Sequence, residues 1–130
     1  MRANNYNTGI ASEYLVLSLL YRQGMEAYMS IGNKKAIDIR IIKNNDDIIS
    51  LDVKAVRGYT SIIVNNIEVS PKHFLALVIY NDKFEDVNAT PEVYILPSLE
   101  AEKIIKHYKK EKRIMKGDIL NYKNRWELLV

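Results

Sequence analysis

Ala36-Ile-Asp-Ile-Arg-Ile-Ile42 and Ile48-Ile-Ser-Leu-Asp-Val-Lys-Ala-Val56 are two β-branched runs, joined by Lys43-Asn-Asn-Asp-Asp47 and interrupted by charge. Two such runs around an Asn/Asp-rich connection predict a β-hairpin. Along a strand, side chains alternate between faces, so Asp52 and Lys54 share one face while Leu51, Val53 and Ala55 take the other. Asp38 and Arg40 share a face of the preceding strand in the same way. A five-residue connection, 43–47, permits a register that sets Asp38 opposite Asp52, Arg40 opposite Ser50 and Ile42 opposite Ile48. A slip of one residue would send the two aspartates to opposite faces.

Outward from this hairpin, the chain reads as one alternation of elements. Residues 8–23 form an apolar helix, with Thr8 or Asn7 to cap its start and Gly24 placed to end it. Nearly every face of that helix is apolar, which predicts that it is largely buried; Glu13 is its one acidic residue. Met25–Ile31 is a first strand, and His73-Phe-Leu-Ala-Leu-Val-Ile-Tyr80 is a fourth, whose unbroken apolar run predicts burial on both faces. His73, opening that strand, reads as structural. Glu92-Val-Tyr-Ile-Leu96 is a fifth strand, and Ser98 caps a second helix running to about Lys112. The tail from Ile119 to Val130, holding the single Trp, adds a closing strand or short helix. The order α-β-β-β-β-β-α gives an α/β fold, a three-layer-like sandwich around a mixed five-stranded sheet.

Composition narrows the class. At 130 residues and 48% hydrophobic the chain supports a single domain, 1–130, with one core. Without cysteine there are no disulfides and no thiolate metal sites. Met1–Ser12 has no apolar core of the secretory kind, and Tyr14–Tyr21 is too short to span a bilayer, so a cytoplasmic protein without a membrane partner is expected. The net charge of +3 is compatible with nucleic acid but not diagnostic of it. His107-Tyr-Lys-Lys-Glu-Lys-Arg-Ile-Met-Lys116 concentrates cations. Two readings stand: a solvated helix end whose lysines suit the macrodipole, or a phosphate contact made by Lys109, Lys110 and Arg113. Arg57 and Arg40 have the same two options, touching phosphate or neutralising the acidic pair.

Carboxylates facing each other across a hairpin repel unless something compensates. A divalent cation does so, and Mg²⁺ takes oxygen ligands. Such an ion polarises a phosphodiester and acidifies a bound water, beside which Lys54 would lie. An Asp-x-Lys triplet alone is common on solvated strands. Its combination with Asp38 on the neighbouring strand and Glu13 in an apolar helix is what points to a site.

The series Gly9-Ile-Ala-Ser-Glu13, helix, Gly24, strand, Ala36-Ile-Asp38, turn, Leu51-Asp-Val-Lys54 resembles the core of the PD-(D/E)xK, restriction-endonuclease-like nucleases. The nearest likeness is to the archaeal Holliday-junction-resolvase branch. The likeness covers the first 56 residues, with Ile37 in place of the usual proline and Asp52 in place of the commoner glutamate. It implies catalytic residues Glu13, Asp38, Asp52 and Lys54, with the three acids holding Mg²⁺, or Mn²⁺ in its place. It also implies an endonuclease acting on DNA, branched or junction DNA included, and a homodimer. The alternative is a catalytically inactive module of the same fold that binds nucleic acid or another partner.

Overall fold

The computed structural model describes residues 5–31 and 37–130, and of residues 31, 37 and 38 the backbone alone. Helix α1 (Asn5–Arg22) is followed by strands β1 (Glu26–Ile31), β2 (Ile37–Ile42) and β3 (Ile48–Val56), a short β4 (Ser61–Ile63), β5 (His73–Ile79) and β6 (Glu92–Pro97). Helix α2 (Ser98–Ile104), strands β7 (Lys106–His107) and β8 (Lys112–Met115) and three 3-10 turns complete the chain. The five expected strands build one mixed sheet in the order β1-β2-β3-β5-β6, with β3 and β5 parallel and the other pairs antiparallel. The α/β class and the mixed five-stranded sheet are as the sequence predicts.

The register is also the expected one: Arg40 pairs with Ser50 and Ile42 with Ile48. The β2–β3 ladder begins at Ile39–Leu51, one step from where the same register brings Asp38 opposite Asp52. Residues 43–47 close the hairpin through hydrogen bonds between Lys43 and Asp47 and from Asp46 to Lys43, with Asp46 at φ 64. Asp tolerates the left-handed conformation better than most residues, which is why this connection closes.

The sheet has two unlike faces. On one, Ile39, Ile41, Ile49, Leu51, Ala76, Val78 and Ile95 meet Val16 and Leu20 of α1. On the other, Leu75, Leu77, Ile79, Tyr94 and Leu96 are covered by Ile62 and Val64 at β4, Ala101 of α2 and Ile114 of β8. β5 is therefore buried on both faces.

Three elements differ from what the sequence predicts. First, α1 is not largely buried. Its described part runs from Asn5, so Thr8 lies inside it rather than capping it, and of its described residues only Thr8, Ser12, Val16 and Leu20 are buried. These fall four residues apart, one narrow stripe of a helix. Tyr14 and Tyr21 stay 60% and 54% exposed. Its end is as expected: Gly24 at φ 81 lets the Gly24 and Met25 amides donate back to Tyr21 and Leu20, a Schellman closure.

Second, α2 stops at Ile104, well short of Lys112, and Ser98 does not cap it. The Ser98 hydroxyl instead donates to the Ser70 carbonyl at 2.8 Å and accepts from the Ser70 amide at 3.0 Å.

Third, the basic run is not a helix end. Residues 106–115 fold as a hairpin that pairs with β4 in a second sheet, β4-β8-β7. The edge of the β4 segment offered unpaired backbone groups. The Lys112 carbonyl takes one of them, accepting from the Val64 amide at 2.9 Å, and the Lys112 amide donates to the Asn65 side-chain oxygen Oδ1 at 2.7 Å. Tertiary pairing of this kind overrides a moderate helical preference.

Candidate active site

Asp52 lies in the middle of β3, between β2 and β5, and is only 7% exposed. Lys54, two residues on and on the same face, brings Nζ to 3.6 Å from Asp52 Oδ2. That spacing is an ion pair, too long for a good hydrogen bond, so the ammonium keeps its donors for another acceptor. A carboxylate carried this far from water is costly unless charge or hydrogen bonds compensate. Two charged side chains on a strand otherwise built from Ile, Leu, Val, Ala and one Ser are a cost that packing does not explain.

The cross-strand pairs define what surrounds this pair. Tyr28, Arg40, Ser50 and His73 form one row across β1, β2, β3 and β5. Next to it, Asp52 lies beside Leu75, and Lys54 beside Leu77. The second sheet covers this side of the molecule over β5 and β6, but Tyr28, Arg40, Ile42 and Ile48 belong to neither core cluster. Tyr28 and Ile48 are 44% and 46% exposed. Asp52 and Lys54 thus stand at the boundary between a covered half of the face and an open half.

Of the residues singled out in the sequence, Asp52 and Lys54 come together and Arg40 shares their face. The side chain of Asp38 lies outside the described residues; its backbone pairs with Ser30 on β1. Glu13 is half-buried on α1, which packs on the side of Leu51, Val53 and Ala55. It therefore does not share the face of Asp52 and Lys54. Arg57 is occupied: its Nε donates to Thr8 Oγ1 at 2.7 Å and its guanidinium stacks 4.5 Å from the Phe84 ring centre. Phe84 in turn meets Tyr80 edge-on, and the Tyr80 and Ser12 hydroxyls are 2.8 Å apart. This set ties the start of α1 to the ends of β3 and β5. Arg113 pairs with Glu111 and donates to Ser61 Oγ at 2.7 Å, while Lys109 and Lys110 are exposed on the β7–β8 hairpin.

Two polar groups have partners that were not evident from the sequence. His73 is 2% exposed, and its Nδ1 lies 2.6 Å from Ser50 Oγ, fixing the start of β5 against β3 next to Asp52. Glu92 gathers Lys116 at 3.1 Å, Lys123 at 3.4 Å and the Tyr94 hydroxyl at 2.9 Å. Burial pushes Glu92 up, but those hydrogen bonds outweigh it and hold the carboxyl at about 2. Burial and the bond to Glu92 push Tyr94 up to about 12. The alternation Glu92-Val-Tyr94 placed these two on one face, but nothing nearby in sequence announced the lysines.

Among the described residues, no three His, Asp or Glu side chains gather into a set able to hold a metal ion. The donor at hand, the Asp52 carboxylate at the rim of an open sheet face, is the hard oxygen ligand that Mg²⁺ takes.

No family model matches the chain, and no curated protein matches its sequence. Among solved structures, a bacterial homing endonuclease matches over 98% of this chain and 92% of that one, with a TM-score of 0.58 and 12% identity. The fold resembles that of a homing endonuclease. At this identity the likeness is one of architecture, in which the two chains correspond over almost their whole lengths. No helix among the described residues is long and apolar enough to cross a membrane.

Proposed function

We propose that this chain is a divalent-metal-dependent endonuclease that hydrolyses DNA phosphodiester bonds at Asp52 and Lys54, with branched or junction DNA among its substrates. The observation that carries this reading is the buried Asp52 with Lys54 Nζ at 3.6 Å, at the edge of an open sheet face. The likeness of the whole fold to a homing endonuclease supports it.

In this reading Asp52 and Asp38 would hold Mg²⁺ or Mn²⁺. When bound, such a cation would polarise the scissile phosphate and acidify a water. Lys54 positions the attacking water with its ammonium hydrogens, which Asp52, 3.6 Å away, does not lock in place. The water oxygen bonds to phosphorus as it gives up a proton, one P–O ester bond breaks, and the displaced alkoxide takes up a proton and leaves as an alcohol. Arg40, in the same row as Ser50, faces the substrate and steadies a neighbouring phosphate. Glu13 stays in the set on the resemblance alone, as does a homodimer that would cut two strands symmetrically.

The test is nicking of plasmid and of branched DNA across a Mg²⁺ and Mn²⁺ titration. Wild-type protein should cut and Asp52→Ala should not, because losing the carboxylate removes the cation's ligand. Wild-type protein inert on every substrate would replace this reading with a binding module of the same fold.

A further inference from the structure

We propose that the β7–β8 hairpin is a phosphate-gripping ribbon that seats in a groove of duplex DNA, beside the strand lying over Asp52 and Lys54. The proposal deepens the endonuclease reading and rests on it for where the duplex lies.

Three observations carry it. The first is charge. Lys106, Lys109, Lys110 and Lys112 are all exposed, and none forms an ion pair among the described residues. The hairpin's only acid, Glu111, is paired with Arg113. The Tyr108 amide donates to the Glu111 carbonyl at 2.9 Å, so Lys109 and Lys110 form the turn itself. The tip of the ribbon is two adjacent cations, next to a half-exposed tyrosine.

The second is the pairing. Lys106 stands directly opposite Arg113. Like charges across a strand pair destabilise it. Only two residue pairs hold β7 to β8, so the repulsion falls on a short ladder. A polyanion relieves this arrangement, and no acid on the hairpin beyond Glu111 does so.

The third is position. β4 and β8 pack Ile62 and Ile114 onto the face that carries Leu75 and Leu77, and Asp52 and Lys54 are in register with those leucines on that same face. The hairpin and the candidate centre therefore lie on one side of the main sheet. A two-stranded ribbon fits the major groove of B-form DNA, about 12 Å wide, with lysines meeting the phosphates. Lysines that meet phosphates position the duplex without reading its bases, so the contact is independent of sequence.

The experiment measures binding of labelled duplex by fluorescence anisotropy, without added metal, across a salt series. Wild type is compared with Lys109→Gln/Lys110→Gln and with the charge reversal Lys109→Glu/Lys110→Glu. The neutral double variant should bind roughly 5- to 50-fold more weakly, with the slope of log affinity against log salt reduced by about 1 to 2. The reversal should bind more weakly still. Lys106→Gln should melt no lower than wild type, since it removes a repulsion, and yet should weaken duplex binding; a purely structural lysine would lower the melt instead. Tip variants binding like wild type while the wild type still cuts DNA would sink the ribbon and leave the endonuclease standing. Lysine-dependent binding by a protein that never cuts would sink the endonuclease and leave the ribbon. No duplex binding by wild type, or lysine-dependent binding to phosphatidylserine vesicles in its place, overturns the proposal.

Discussion

Glu92→Gln should cost stability at neutral pH and almost none in strong acid. Glu92 joins β6 to Lys116 after β8 and to Lys123 in the tail, so it fastens the second sheet to the main one. Its carboxyl moves from 4.5 to about 2 on folding, which at full strength corresponds to roughly 3 kcal/mol. The side chain is 24% exposed, and water screens part of that, leaving about 2 kcal/mol. Because the folded-state value is the lower one, this stabilisation is complete above 4.5 and fades as pH falls towards 2. Urea or thermal unfolding of both proteins at pH 7 and near pH 2 checks it. At pH 7 the variant should melt about 7 °C lower. By pH 2 the gap should have largely closed. An equal gap at both pH values would show that the loss comes from packing and would refute the electrostatic account.

Other expectations follow from single positions. Leu20, fully buried where α1 meets the sheet, should lose about 2–5 kcal/mol as Leu20→Ala by urea unfolding. Gly24→Ala meets nothing within 4 Å, so its cost is the left-handed backbone at φ 81 alone, about 1–2 kcal/mol in the same assay. Arg57→Ala removes the stacking on Phe84 and the bond to Thr8; amide exchange at the start of α1 should rise, while the β2–β3 ladder stays protected.

Much of the frame was readable because it rests on local rules. Alternation around Asp52 and Lys54 fixed their common face, and the five-residue connection permitted, without fixing, the hairpin register that the Arg40–Ser50 pair displays. Gly24 marked the end of α1 through the one conformation a glycine permits cheaply. What escaped was decided at long range. β4 is three residues long and pairs with a strand some fifty positions later, so neither Ser61–Ile63 nor Lys112–Met115 carried a strand signal of its own. The lysine-rich run had helical composition, yet Ile105 turns extended at ψ 130 and the chain joins the β4 edge instead. The apolar breadth of α1 misled because one helix face packs and the others need not. At the candidate site the residue types were visible, but which side of the sheet α1 occupies was not. That side determines where Glu13 stands.

The measurement that bears most directly on the central claim is single-turnover cleavage of a preformed DNA complex by Lys54→Ala, with duplex affinity measured in parallel. A lysine that positions the attacking water acts in the transition state, so the rate should fall by about 10²- to 10⁴-fold while affinity changes only a few-fold. Lys54→Ala cutting at the wild-type rate would contradict the assignment of Asp52 and Lys54 as the catalytic centre.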